Sequence, residues 1–373
     1  MIREKRLKRE LKQKISDKRW KLELSREGRG YDPSRPQKKV NRRKEVDYIK
    51  LPEHFCIYSL EDKKNFRRVV EIINNIAKKQ NTKVLLDFSQ TNHLKVAAML
   101  ALYAAVEKSI QTGGSYKIVA FSKKNFVNET LKKSGFLILC RNNSATPYFD
   151  REYMPVVSSV GGNYRDDIVD FIQQKIYKDK MSAVTESIYG GAVHEAINNV
   201  FYHAYPGLEL EDKRWWVKCD LVGDQLFLAI YDKGVGIPTT VTKNTWYGNA
   251  LEKSYPALAQ QITDELSKDG ISINKFKLNN AFNLVSDAKK IAVSMADDVT
   301  GTGQTKHGQG SKSIKALVNK NELGKLWIYS NLGLYKINEG KAEVIDLPAR
   351  IEGTLIQWNI KVEYDEPENN NHS

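Results

Sequence analysis

Four short segments stand in a fixed order between residues 191 and 360: GAVHEAINNVFYHAY, AIYDKGVGIP, KHGQGSKSIKALV and EGTLIQW. In turn they read as a helix, a strand running into a glycine pair, a glycine pair opening a helix, and a strand opening on Gly-Thr. Each needs an apolar face to bury. Helices and strands with such faces are satisfied by helices layered over a sheet. RWWVKCDLV (214–222) and QLFLAIYD (225–232), separated by the dipeptide Gly-Asp, predict an antiparallel hairpin in that sheet. KLWIYSN, GLYKIN, KAEVIDL and GTLIQWNIKV add further strands with polar turns between them, and the sheet is expected to be mixed.

The first segment sets Glu195, Asn199 and His203 four residues apart, which stacks a carboxylate, an amide and an imidazole on one helix face. That face offers a general base, a neutral oxygen ligand for a hard cation such as magnesium, and a polar group beside phosphates. Taken alone, it is equally an amphipathic helix with its polar stripe in water. In the second segment a strand delivers Asp232 to its end, where a carboxylate can accept a proton from an adenine amino group. Gly234 and Gly236 there let backbone lie against a base and sugar, although Asp-x-Gly-x-Gly is also an ordinary turn. Gly308 and Gly310 precede a helical run whose first amides can bind anionic oxygens, with Lys306 and Lys312 adding charge. The Thr354 hydroxyl is expected to reach Asp232 or a water on the base.

Upstream, residues 46–150 read as a separate small α/β domain. KVLLDFS (83–89) and YKIVAFS (116–122) are buried-strand patterns, VAAMLALYAAVEKSI (96–110) is a helix apolar on most faces, and NFVNETLKKSGFLIL (125–139) is a helix turning at Gly135 into a strand. That alternation implies a largely parallel sheet. The net charge of +14 is uneven, since residues 1–50 hold 19 Lys/Arg against 8 Asp/Glu. The basic surplus therefore sits in an arm, residues 1–45, with a basic helical pattern over 2–24. Such an arm suits nucleic acid or an acidic partner, or is simply solvated. Three widely spaced cysteines argue against a disulfide framework. The amino terminus has no apolar core, and the longest apolar run, Val96 to Val106, is about half the roughly 20 residues of a membrane helix. A cytoplasmic protein without membrane contact is expected.

With their order and spacing, the four segments resemble the GHKL superfamily: type II topoisomerases, heat-shock chaperones, histidine kinases and mismatch-repair ATPases. The resemblance covers roughly residues 165–362. It implies a two-layer α/β sandwich over 151–364 with ATP and Mg2+ as cofactors. Glu195 is then the catalytic base and Asn199 the metal ligand. Asp232 holds adenine among Gly234, Gly236 and Thr354, Gly308 and Gly310 close on the phosphates, and 238–307 is a lid. HGQGSKSIKAL is most similar to the topoisomerase version, and the Glu-Asn-His helix to that of anti-sigma serine kinases. Residues 46–150 resemble the STAS domain of anti-anti-sigma regulators. Phosphorylated members carry Ser or Thr at the start of the helix after the LLDFS-type strand, whereas this chain has Lys95 and Val96. The expectation is an ATPase whose nucleotide state controls homodimer or partner association. The alternatives are a partner-switching serine/threonine kinase, and a nucleotide-gated scaffold or nucleic-acid-binding module working through residues 1–44. Residues 365–373 read as a polar tail.

Overall fold

The computed structural model describes residues 13, 15–20, 46–145, 153–161, 164–244, 246–268, 284–296 and 309–364. The chain divides into two compact units, Met1–Lys44 and Glu45–Ser373. Of the first unit, residues 13 and 15–20 are helical and exposed, and the rest of the expected 2–24 helix lies outside the described residues. The tail 365–373 and the stretches 269–283 and 297–307 of the expected lid do so as well.

The second unit begins with β1 (Val46–Lys50), β2 (His54–Phe55), α1 (Lys63–Lys78), β3 (Lys83–Asp87), β4 (His93–Leu94), α2 (Val96–Gln111) and β5 (Ser115–Ala120). Strands β1, β3 and β5 pair in parallel in that order, and β2 and β4 form a small parallel pair. Helix α1 starts where the Asp62 side chain accepts the Asn65 amide at 2.9 Å. Its Phe66, Val69, Val70, Ile73 and Ile76 recur at three- and four-residue steps and are buried. Helix α2 is instead buried on nearly every side, which explains its all-round apolar sequence: it packs against β5 and also against the second sheet. Two short helices follow, α3 (Asn125–Lys133) and α4 (Phe136–Asn142). The strand expected after Gly135 is therefore a helix. A short run such as FLILC has no period to separate the two, and its Phe136, Leu139 and Cys140 are buried against the first core.

The second sheet has the order β6-β7-β8-β10-β9, built from β6 (Val157–Val160), β7 (Arg214–Val222), β8 (Gln225–Asp232), β9 (Lys325–Asn338) and β10 (Lys341–Lys361). Every neighbouring pair in it is antiparallel, so the expected mixed sheet is not formed. The reason is connectivity: tight turns join β7 to β8 and β9 to β10, and β10 inserts between β8 and β9. The four strands read from KLWIYSN to GTLIQW merge into two long ones, with register shifts between Asp346 and Thr354.

Alternation along these strands feeds two cores. Trp216, Ala229, Tyr231, Tyr329 and Leu355 join the residues of α1 and α2 in one continuous core, which runs across residue 150. Trp215, Val217, Ile230, Ile328, Ile356 and Trp358 face the other way. There they meet α5 (Arg165–Phe171), α6 (Ala183–Asn199) and a later helix, Gln309–Asn319. Within the expected lid, α7 (Ile237–Val241), α8 (Tyr247–Ser254), α9 (Pro256–Lys268) and α10 (Asp287–Met295) share a small core around Tyr247, Leu251, Ile262 and Val293. The helix Gln309–Asn319 is α11. Among the described residues no helix is long and apolar enough to cross a membrane. The three cysteines are free and buried.

Candidate functional site

Helix α6 is capped by Ser182, whose side chain accepts the Thr185 amide at 3.2 Å. It runs to Asn199 and then widens into a π-helical turn, Val200–Ala204. Glu195 is half-buried, one turn before Asn199, and the Asn199 side chain hydrogen-bonds its carboxylate. Burial raises the Glu195 pKa above the ordinary carboxylate value, with the Asn199 hydrogen bond opposing. The shift makes Glu195 a stronger proton acceptor than an exposed glutamate.

Gly310 sits in the first turn of α11, directly over Glu195. A methyl group at that position would fall onto the Glu195 carboxylate. The absence of a side chain is what lets the start of α11 close against the acid, and α6 packs along α11. Segments more than a hundred residues apart are brought together here. His203 lies within the π turn that follows Asn199. His203 is exposed with its ring beside Tyr202.

The π turn leads directly to the second cluster. The Val235 amide donates to Ala204 O at 2.8 Å, and a Cβ on Gly234 would meet that same carbonyl. The loop after β8 is thereby docked on the end of the α6 segment. Asp232 ends β8 opposite Thr354 of β10, and both are buried. The backbone N–H of Gly234 donates to Asp232 Oδ1 at 2.8 Å, and that of Thr354 donates to the same carboxylate. Burial outweighs these two donors and pushes its pKa up to about 7. The Thr354 hydroxyl does not reach Asp232 as expected. It meets Ser330 Oγ at 3.1 Å, and Ser330 accepts from the Ile237 amide at 2.9 Å.

Several residues around this cluster had no part in the sequence expectation. Asn331 Nδ2 donates to Val235 O at 3.0 Å, and a side chain on Gly236 would run into Ser330 and Asn331. The visible signal was the Ser-Asn pair interrupting the apolar strand KLWIYSN. Lys233, beside Asp232, turns the other way and pairs with Glu352 at 3.2 Å. Its pKa is lowered by burial, against the pull of Glu352. Lys306 and Gly308 lie outside the described residues.

The arrangement has two parts joined by the π turn: a half-buried carboxylate under a helix start, and a buried carboxyl at a strand end held by the Gly234 and Thr354 amides. Compared with known proteins, the chain matches no family model, and no curated protein sequence matches it.

Proposed function

We propose that the chain is a magnesium-dependent ATP hydrolase of the GHKL type, whose nucleotide state controls association with itself or a partner. The observation that carries this reading is the closure of Gly310 and the start of α11 over Glu195, with Asn199 hydrogen-bonded to the acid. A helix start supplies N–H groups and a positive dipole end suited to phosphate oxygens. Glu195, with its raised pKa, is suited to take a proton from the water that attacks the terminal phosphorus. The proton moves to the Glu195 carboxylate as the new P–O bond forms and ADP leaves.

Asn199 fits a magnesium ligand. Its amide nitrogen serves Glu195, which leaves the amide oxygen for a hard cation that keeps most of its water. When bound, the cation would neutralise charge on the phosphates. Asp232 fits the adenine amino group: it is buried and anchored by two backbone donors. The small core that α7, α8 and α9 share with Val293 of α10 supports a lid hinged on α10, which is itself packed on β9 through Ile291 and Met295, and lid motion frequently sets turnover. Residues 46–145 keep the role of a STAS-like support without a phosphate acceptor at Lys95 and Val96.

The test is phosphate release from ATP by the full chain with magnesium, beside nucleotide binding. Glu195→Gln is expected to bind ATP as the parent does while hydrolysis falls by roughly 10²- to 10⁴-fold. A parent protein that binds ATP yet releases no phosphate, alone or with partners, overturns the hydrolase reading. Transfer of the label to serine or threonine of a second STAS-like protein would replace it with a kinase.

A further inference from the structure

Parallel sheets ordinarily have both faces covered, because the crossovers joining their strands lay helices over them. In the sheet β1-β3-β5 the crossovers α1 and α2 cover one face. Val84, Leu86 and Tyr116 lie in the core those helices share, and the Tyr116 hydroxyl donates to Ile76 O of α1. The alternate residues form the opposite face and are open to solvent: Val46, Tyr48 and Lys50 on β1, Lys83 on β3, and Lys117 and Val119 on β5. Phe121 continues that alternation just past β5. Tyr48 is 56% and Phe121 52% exposed, which is unusual for aromatic rings on a folded sheet.

The face has an ordered composition. In register, Tyr48 stands beside Leu85, and Leu85 beside Lys117, while Val46 stands beside Lys83. The Tyr48 hydroxyl donates to Asp87 on the neighbouring strand, which ties the exposed ring to the sheet. Asp87 is the acidic residue on this face, and its carboxylate is taken up by Tyr48 and the Ser89 amide. Charge is distributed in the same sense. Residues 51–145 hold 15 Lys/Arg against 7 Asp/Glu, whereas residues 146–373 hold 25 against 30. The near-neutral sum of the folded body hides a basic half and an acidic half.

We propose that this open face binds single-stranded nucleic acid, with Tyr48 and Phe121 as stacking platforms and Lys50, Lys83 and Lys117 as phosphate contacts. Flat aromatic rings accept any base by stacking, and lysines flanking them meet the phosphates between bases. A second copy is the poorer occupant, since face-to-face pairing would set lysines against lysines. The inference stands apart from the hydrolase reading and shares no residue with it.

The experiment uses the full chain with fluorescein-labelled 20-nucleotide single-stranded DNA and RNA, at two or more salt concentrations. Anisotropy gives the affinity, and photo-crosslinking followed by mass spectrometry gives the location. The parent is expected to bind one or both strands and to crosslink at the β1 or β5 peptide. Tyr48→Ala should weaken binding by roughly tenfold, with Tyr48→Phe close to the parent. The double variant Lys83→Glu, Lys117→Glu should weaken it further and flatten the slope of log affinity against log salt by about 1.4. Both sets lie on exposed positions, and a circular dichroism melt verifies the fold. Unchanged affinity and salt slope in the double variant overturn the proposal. So do crosslinks confined to residues 1–44, or a double variant that alters only sedimentation, which would mark the face as a contact between copies.

Discussion

At the residue scale Asp232 carries the sharpest consequence. An unfolded aspartate ionises near about 3.9, whereas burial moves the folded Asp232 carboxyl up to about 7. Between those values the folded chain holds a proton that the unfolded chain has shed. This contribution to stability is therefore present at low pH, declines as pH rises from about 4 to 7, and is gone above that. The full change is on the order of 4 kcal/mol. Asp232→Asn removes the titration, so the unfolding free energy of the variant relative to the parent should rise from pH 5 to pH 8 in denaturant melts. A difference that stays flat with pH would mean that Asp232 is not buried as an acid. Gly310 gives a second prediction at this scale. Gly310→Ala should keep the fold, since alanine favours a helix by up to about 1 kcal/mol. Its methyl must displace the Glu195 carboxylate, so ATP hydrolysis should fall at least tenfold. Unaltered hydrolysis would show that closure of α11 over Glu195 plays no part in turnover.

At the element scale the telling contact is between α2 and β7. Glu107 of α2 is buried and accepts from Trp216 Nε1 at 2.6 Å, Ser158 Oγ at 2.9 Å and Arg214 at 3.2 Å. One carboxylate thereby fastens the helix layer to three positions on the second sheet. Glu107→Ala leaves the indole N–H and the guanidinium without that acceptor. Loss of one partner from a buried charged pair costs about 3–5 kcal/mol, which here should lower Tm by roughly 6–10 °C in a thermal shift assay. Glu107→Gln, which keeps an oxygen acceptor, should lose less. Equal Tm values for parent and Glu107→Ala would refute the fastening role. Smaller ties add to it: Tyr58 with Gln357, Tyr329 with Ile57 O, and Asn74 with Arg350 O.

At the scale of the whole molecule, Glu45–Ser373 behaves as one body because one core spans both sheets. Its unfolding should be a single cooperative transition, seen alike by tryptophan fluorescence and far-UV circular dichroism. A fragment starting at residue 151 would expose Trp216, Ala229, Tyr231, Tyr329 and Leu355 and should aggregate or melt far below the full chain. Two separated transitions, or a stable and soluble fragment, would contradict a shared core. Much of this body is legible from local pattern. The apolar spacing of Phe66 to Ile76, the hairpin 214–232 and the Ser182 cap are properties of neighbouring residues, and periodicity reports them directly. The helix spacing likewise announced that Glu195 and Asn199 share a face, and strand and turn chemistry placed Asp232 at a strand end beside Gly234 and Gly236. Other features are decided by contacts between distant residues. The π turn at Val200–Ala204 forms where that segment meets the loop after β8, with the Val235 amide donating to Ala204 O, a packing that no four-residue period records. The all-antiparallel order, the helix in place of a strand at Phe136, the Ser330 and Asn331 partners and the shared core of α2 likewise depend on which surface each segment meets. Local chemistry states what an element can bury, whereas only the assembled chain decides against what it is buried.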